Sequence, residues 1–281
     1  MRASVLFTFS FFLFTSAFAA VPFKLGVARY TVYKQKLDDA LAMMQRIDCR
    51  YLAFIDRTIP YEADEKAIAD YEAKLAKYGV KTATPGPLYF SEEKYAREFF
   101  GLAKRWGMKT VSVVPFKPVG KKGKVESEES LDLLEKLVKE YDIHAAIHNH
   151  GPDTPKLFPD ADSIMKRIAK RDRRIGLCLD IGHERRCGKD PAETIRKYAD
   201  RIYDVHVKNI EVKGTENLAV PGPRGDIDIP SVFRALRDIG YDGYCLIEYE
   251  KDFEAVEAPL LESFAYYRGV MDAVGSEPLA K

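Results

Sequence analysis

Short apolar runs and longer amphipathic segments alternate along the chain from residue 24 onward. Runs such as Thr110–Pro115 and Ile175–Leu179 contain no charged residue and are mostly apolar, which is typical of strands buried on both faces. Segments such as Lys36–Ile47 place apolar residues on one face at helical spacing and polar residues on the other. The chain is therefore predicted to alternate strands with helices.

The pattern contains eight such strand–helix units. The predicted strands are Lys24–Tyr33, Arg50–Ile55, Val80–Pro85, Thr110–Pro115, Ile143–His148, Ile175–Leu179, Ile202–Val207 and Tyr244–Tyr249. The predicted helices are Lys36–Ile47, Ala63–Tyr78, Ser91–Trp106, Ser127–Tyr141, Asp160–Ala169, Pro191–Tyr198, Ile229–Ile239 and Ala258–Ala273. Eight units predict an α/β fold consisting of a single (β/α)8 TIM barrel. An open, doubly wound sheet is the alternative, although no glycine-rich phosphate loop follows the first strand.

The first 20 residues differ from the rest of the chain. Arg2 precedes the apolar run Val5–Phe14, and Ala17–Ala19 has the small-x-small form of a signal-peptidase site. We predict a signal peptide over 1–20, a barrel domain over 21–281, and a secreted or periplasmic protein without membrane association after cleavage. An N-terminal membrane anchor is the alternative, but the run is shorter than the roughly 20 residues that span a bilayer.

Composition narrows the function classes only a little. The chain has 281 residues, 46% hydrophobic and 31% charged, with a formal net charge of +1. Such a balance does not favour nucleic acid or an anionic membrane as partner. The four cysteines match no zinc or disulfide pattern, so we expect no essential disulfide.

Potential metal ligands end four consecutive predicted strands. All five histidines lie between His144 and His206, and strands five to eight end at His148, Asp180, His206 and Glu248. Strand alternation points these four side chains into the barrel mouth, where the active sites of such barrels lie. Two imidazoles and two carboxylates suit Mn, Co, Fe, Ni or Zn better than Ca or Mg. Buried hydrogen-bonded partners without a metal are the alternative.

These same residues carry a family resemblance. The chain resembles the xylose isomerase-like barrels, the sugar phosphate isomerase/epimerase family, in three short motifs. These motifs are Leu179–His183 (Leu-Asp-Ile-Gly-His), His206-Val-Lys208 and Ile247-Glu248. The resemblance covers the whole mature chain and implies metal-ligand roles for the residues that end strands six to eight. The fourth ligand of that family is usually a glutamate at the end of strand five, often in Glu-Asn-His. Here the triplet is His148-Asn149-His150.

The histidine at position 148 changes the expected chemistry. It removes one carboxylate base and makes the metal site less negative by one charge, which strengthens a bound metal as a Lewis acid. Glu248 remains a possible base, and His150 is a second candidate because imidazole titrates near neutrality. Lys208 could stabilise a developing oxyanion. One base and one acid suit elimination better than symmetric two-base epimerisation.

Other residues could bind substrate. The resemblance implies that His183 contacts substrate hydroxyls, with a supporting hydrogen bond as the alternative. Arg224 and Asp226 lie where a loop could close over the mouth, since Lys213–Arg224 follows a strand end. Arg29, near the end of the first strand, could line the pocket.

The sequence thus favours an exported, metal-dependent isomerase or epimerase that abstracts a proton α to a carbonyl of a non-phosphorylated sugar or keto-sugar. The alternatives are a lyase or dehydratase that performs β-elimination on a keto-glycoside, and a non-catalytic sugar-binding barrel. An apurinic endonuclease fits poorly, because it needs more metal ligands and a basic groove. The expected partner is a small carbohydrate, and the oligomeric state is left open.

Overall fold

A computed structural model describes residues 21–54, 64–213 and 216–277. The predicted signal peptide over 1–20 lies outside the described residues. The strands are β1 Lys24–Val27, β2 Tyr51–Leu52, β3 Lys81–Thr82, β4 Leu88–Phe90, β5 Thr110–Pro115, β6 Lys117–Val119, β7 Gly123–Val125, β8 His144–His148, β9 Ile175–Asp180, β10 Ile202–Val207, β11 Asn209–Lys213, β12 Glu216–Val220 and β13 Tyr244–Ile247. The helices are α1 Leu37–Arg46, α2 Glu65–Lys77, α3 Glu93–Arg105, α4 Glu128–Tyr141, α5 Ala161–Ile168, α6 Ile181–Arg186, α7 Pro191–Lys197, α8 Ile229–Asp238 and α9 Glu257–Gly275.

The main sheet is a curled parallel sheet of nine strands, in the order β3-β2-β1-β13-β10-β9-β8-β5-β4. Its two terminal strands belong to one short segment, 81–90, which runs from β2 to β5. Within that segment the Gly86 amide donates to the Phe54 carbonyl at 2.7 Å, and the Pro85 carbonyl accepts from the Ser112 amide at 2.8 Å. These bonds bring the two ends of the sheet together, so the fold is TIM-barrel-like, as predicted.

Most of the helices begin just after an aspartate or a serine whose side chain caps the first turn. Six helices, α2, α4, α5, α6, α7 and α8, begin after a side chain that accepts a hydrogen bond from a backbone amide of the first turn, the usual N-cap interaction. These N-cap residues are Asp64, Ser127, Asp160, Asp180, Asp190 and Asp228. The core between helices and sheet is aliphatic and aromatic, with fully buried residues such as Phe54, Leu134 and Phe233.

Several sequence predictions need correction. The first strand ends at Val27, because the chain turns into a short 3-10 helix over Arg29–Val32. The helix predicted over Ser91–Trp106 begins only at Glu93, and its N-cap residue Glu92 makes no side-chain cap bond. The predicted loop Lys213–Arg224 instead contributes to the antiparallel hairpin β11–β12 and a 3-10 helix over Gly222–Arg224.

No helix among the described ranges has both the length and the apolar character needed to cross a bilayer. The four cysteines are unpaired, in agreement with the expectation of no disulfide.

Two glycines give a matched test of packing in the barrel wall. A Cβ added to Gly176 in β9 would lie 2.3 Å from the Arg201 carbonyl oxygen, whereas one added to Gly101 in α3 meets nothing within 4 Å. We expect Gly176→Ala to lower the free energy of unfolding by about 1–3 kcal/mol or more through overpacking. Gly101→Ala should raise it by about 0.5–1 kcal/mol, because alanine favours the helix. Urea unfolding measures both, and an unchanged stability of Gly176→Ala would contradict the described packing of this strand.

Candidate metal centre and active site

The four predicted metal ligands end strands that are neighbours in the sheet. Strands β8, β9, β10 and β13 are adjacent and parallel, so their carboxyl ends lie side by side. His206 pairs in register with Asp180, and the Glu248 amide donates to the Val207 carbonyl at 3.1 Å. The strand register therefore brings all four side chains to one end of the barrel.

The donor atoms of these side chains form one compact group. One atom from each of His148, Asp180, His206 and Glu248 lies within 4.8 Å of all the others, and all four residues are buried. His148 Nε2 is 3.2 Å from His206 Nδ1, 3.7 Å from Asp180 Oδ2 and 3.6 Å from Glu248 Oε2. The predicted convergence is confirmed.

The spacing of these atoms fits a divalent ion. Four ligands at about 2.1 Å around a tetrahedral cation lie about 3.4 Å from one another, close to the distances above. Asp180 Oδ2 is buried and makes no hydrogen bond of normal geometry, although Lys208 Nζ is 3.0 Å away. This mixed nitrogen and oxygen donor set suits a transition metal such as zinc or manganese.

The neighbouring asparagine fixes the position of Asp180. The Asn149 side chain accepts from the Asp180 amide at 2.8 Å and donates to the Asp180 carbonyl at 3.2 Å. Asp180 Oδ1 in turn caps α6 by accepting from the His183 amide at 2.8 Å. Its other oxygen, Oδ2, is thereby left facing the cluster.

Lys208 supplies the positive charge that these carboxylates need. Its Nζ lies 3.0 Å from Asp180 Oδ2, 3.1 Å from Glu248 Oε2 and 2.7 Å from Glu250 Oε2. Although burial opposes the charge, Asp180 and Glu248 raise the pKa of Lys208 above its usual value. Gly182 leaves room for the lysine stem, because a Cβ there would lie 2.9 Å from Lys208 Cγ.

His183 lies between two cationic side chains. Its Nε2 is 3.1 Å from Lys208 Nζ, and its Nδ1 is 3.2 Å from Arg186 Nη1. Burial, followed by the charge of Lys208, lowers the pKa of His183 well below its usual value. His183 is therefore a neutral imidazole beside the cluster.

His150 stands next to the cluster without belonging to it. Its ring centroid is 4.9 Å from that of His148, and its Nε2 is hydrogen-bonded to the Tyr89 hydroxyl. Burial lowers the pKa of His150 well below its usual value, so the ring is neutral. Its Nδ1 has no hydrogen-bond partner in the described part of the chain.

A buried carboxylate lies beneath the cluster. Asp204 Oδ2 accepts from the Ser112 hydroxyl at 2.7 Å and lies 3.7 Å from His206 Nε2. Neither Asp204 Oδ1 nor His206 Nε2 has a hydrogen-bond partner among the described residues, although both atoms are buried. A carboxylate facing one ring nitrogen favours the proton on that nitrogen and leaves the other free for a metal. Here the free nitrogen is Nδ1, which faces Glu248 Oε2 at 3.1 Å.

The other predicted substrate-binding residues have contacts away from the cluster. Arg29 is buried, and its guanidinium donates to the carbonyls of Val32 and Gln35, which stabilises the 3-10 helix after β1. Arg224 pairs with Glu262 at 2.7 Å, and Asp226 accepts from the Val212 amide at 2.6 Å. The contacts of Arg224 and Asp226 stabilise the β11–β12 hairpin region. None of the contacts of these three residues supports a role in substrate binding.

Sequence reasoning missed several residues around the site. The sequence pattern does not assign Glu250 to the site, yet its Oε2 lies 2.7 Å from Lys208 Nζ. Asp204 alternates with His206 along β10, and this spacing was a usable signal for a supporting carboxylate. Nothing in the local sequence pointed to Tyr89, because its partner His150 is far away in the chain.

The position of Asp204 leads to a test by metal affinity. In Asp204→Asn the amide can present N–H to His206 Nε2, which favours the tautomer that blocks Nδ1. We expect metal binding to weaken by about 10- to 100-fold, measured by titration of the metal-free protein with Mn²⁺. The matched control is Asp172→Asn, since Asp172 is a half-buried carboxylate just before β9, at the end opposite Asp180, and binds Arg174. Equal metal affinities in both variants would contradict the role of Asp204.

Several curated proteins are similar to this chain in sequence. The chain is 28% identical over 246 residues to an inosose dehydratase of Clostridium perfringens, covering 82% of this chain and 76% of that protein. It is 27% identical over 160 residues to the rhizopine catabolism protein MocC of Rhizobium meliloti, covering 48% of this chain and 47% of that protein.

Solved structures show the same fold at low sequence identity. A xylose isomerase-like barrel protein of Mycobacterium smegmatis in complex with magnesium has a TM-score of 0.70 at 14% identity, covering 90% of this chain and 97% of that one. The IOLI protein with a bound zinc atom has a TM-score of 0.64 at 20% identity, covering 90% and 98%. Residues 41–269 match the profile of one family. The chain belongs to the xylose isomerase-like TIM barrels.

Proposed function

We propose that this protein is a metal-dependent dehydratase acting on a polyhydroxylated ketone. The reaction removes the proton α to the carbonyl and then expels a β-hydroxyl as water. The observation that carries the proposal is the pair of histidines at the carboxyl end of β8, His148 and His150. His148 replaces a carboxylate in the donor group, and His150 supplies a neutral imidazole next to it.

The relatives support elimination over isomerisation. Several curated relatives are named inosose dehydratase, and an inosose is by definition a cyclic polyol with one ketone. At this level of identity the substrate of the relatives is a guide to chemical class only. The earlier preference for isomerase or epimerase chemistry thus gives way to its lyase alternative, on a ketone of a sugar or cyclitol.

The donor group would hold the metal through His148, Asp180, His206 and Glu248. A divalent ion there would act as a Lewis acid toward the substrate carbonyl. The ion also balances the buried carboxylates, which otherwise share the single ammonium of Lys208.

His150 is a better general base than Glu248. Glu248 Oε2 is already within 3.1 Å of both His206 Nδ1 and Lys208 Nζ, so this oxygen is occupied. His150 Nδ1 has no hydrogen-bond partner in the described part of the chain. Because burial keeps the ring neutral by lowering its pKa, this nitrogen is available to accept the α-proton.

Lys208 and His183 form a hydrogen-bonded pair next to the donor group. The Lys208 ammonium can stabilise the oxyanion that develops as the proton leaves. His183 can bind a substrate hydroxyl and relay a proton from Lys208 toward the departing one. A base at His150 and an acid at this pair suit elimination, which needs both in one turnover.

Two further parts of the proposal come from the sequence alone. We infer export from the segment 1–20, and from export a non-phosphorylated substrate. A non-catalytic sugar-binding barrel remains the competing function, and turnover decides between the two.

The direct test uses heavy water. Mn²⁺-loaded protein is incubated with scyllo-inosose and a panel of keto-sugars and followed by NMR. We expect deuterium exchange at the α-carbon together with loss of water. His150→Gln should lower kcat by about 10²- to 10⁴-fold, the usual contribution of a general base.

His144→Gln is the matched control, because His144 begins the same strand and its ring packs, tilted, with its centroid 4.4 Å from that of Tyr203. Its turnover should equal that of the wild type. Exchange that persists in His150→Gln, or a stereoisomer formed without loss of water, would contradict the proposal.

A further inference from the structure

We propose that the β6–β7 hairpin carries a subsite for a carboxylate on the substrate, with Lys124 as the residue that contacts it. The substrate class is then a sugar or cyclitol acid, in which an oxidised carbon lies beyond the reacting ketone. The inference rests on the proposed function only in placing the reacting ring beside His150.

The hairpin projects from the end of the barrel that holds the donor group. It follows β5 directly, and its strands pair antiparallel, with Lys117 opposite Val125 and Pro118 opposite Lys124. Because β5 and β8 are parallel neighbours, the hairpin begins at the carboxyl edge where His148 also lies. It therefore forms part of the rim of the mouth.

Aromatic rings connect Lys124 to the site. Lys124 Nζ lies 4.1 Å from the centroid of the Tyr89 ring and 5.0 Å from that of Phe116. The Tyr89 hydroxyl is hydrogen-bonded to His150 Nε2, and His150 packs against His148. One ring thus separates the ammonium of Lys124 from the proposed general base. A group attached to the reacting ring can reach both.

The charge of Lys124 is not neutralised. Aromatic faces attract and position an ammonium but carry no net charge of their own. Within the described ranges Lys124 forms no ion pair, and burial lowers its pKa without any carboxylate acting in the other direction. The sequence 116–125 contains four lysines and no acidic residue, so the hairpin is a local concentration of positive charge in a chain of net charge +1.

The donor group would not oppose an anion once a metal is bound. Its carboxylates are Asp180, Glu248, Glu250 and the neighbouring Asp204, and its cations are Lys208 and Arg186. A divalent ion would balance the two remaining negative charges. The ammonium of Lys124 would then determine the local potential at the mouth, and a cleft focuses such a field.

The geometry fits a carboxylate better than a phosphate. Phosphate sites in proteins usually combine an arginine fork or a helix N-terminus with several backbone amides. The hairpin offers one positioned ammonium flanked by aromatic rings, which suits a single negative charge on a planar group.

Calorimetric binding to the Mn²⁺-loaded full chain tests this inference without turnover. D-glucuronate and D-glucose are compared as a matched charged and neutral pair, and D-glucose 6-phosphate is the third ligand. We expect glucuronate to bind at least tenfold more tightly than glucose. Lys124→Met keeps the aliphatic stem and should abolish this difference, while Lys124→Arg should largely retain it.

Lys122→Met is the control, because it removes the same charge from the tip of the same hairpin. It should leave the preference for glucuronate within about twofold of the wild type, consistent with one contact residue. The proposal is overturned if the wild type shows no preference, if both methionine variants weaken glucuronate binding equally, or if glucose 6-phosphate binds most tightly through Lys124. Failure of the dehydration assay with an intact charge preference would refute the proposed function alone.

Discussion

Two carboxylates buried at one end of the barrel determine which charged and polar side chains must surround them. Asp180 is fully buried and Glu248 nearly so, and charged groups removed from water are costly unless cations or hydrogen bonds compensate them. Burial raises the pKa of Asp180, whereas Lys208 and His206 hold that of Glu248 well below its usual value. One ammonium shared by two carboxylates is incomplete compensation, and a divalent ion would complete it.

The barrel makes this concentration of charge possible. Four neighbouring parallel strands carry their last side chains to a common edge, and the hydrogen-bonded sheet keeps them at fixed spacing. Supporting residues come from the same strands or from the loops just beyond them. Asn149 fixes the backbone of Asp180, and Asp204 lies below His206 on the same face of β10. The chemistry thus depends on side chains whose positions are set by the most rigid part of the fold.

Periodicity was sufficient to predict the barrel and the four converging side chains. Continuous apolar strands and amphipathic helices have unambiguous patterns, and alternation along a strand decides which residues face inward. Periodicity did not predict the two hairpins. The strands of β6–β7 are mostly exposed and polar, and β11–β12 follows β10 without an intervening helix. The division of β3 from β4 depends on pairing with two different partners, which a local pattern does not contain. Contacts such as Tyr89 with His150, or Glu250 with Lys208, join segments far apart in sequence and needed the folded chain.

We expect His148, Asp180, His206 and Glu248 to hold a single cation. Anomalous diffraction from crystals grown with Mn²⁺ tests this binding. We expect one strong anomalous peak per chain, about 2.0–2.2 Å from one donor atom of each of the four residues, and its loss in Asp180→Asn. A peak coordinated by other residues, or a full-strength peak that persists in Asp180→Asn, would contradict it.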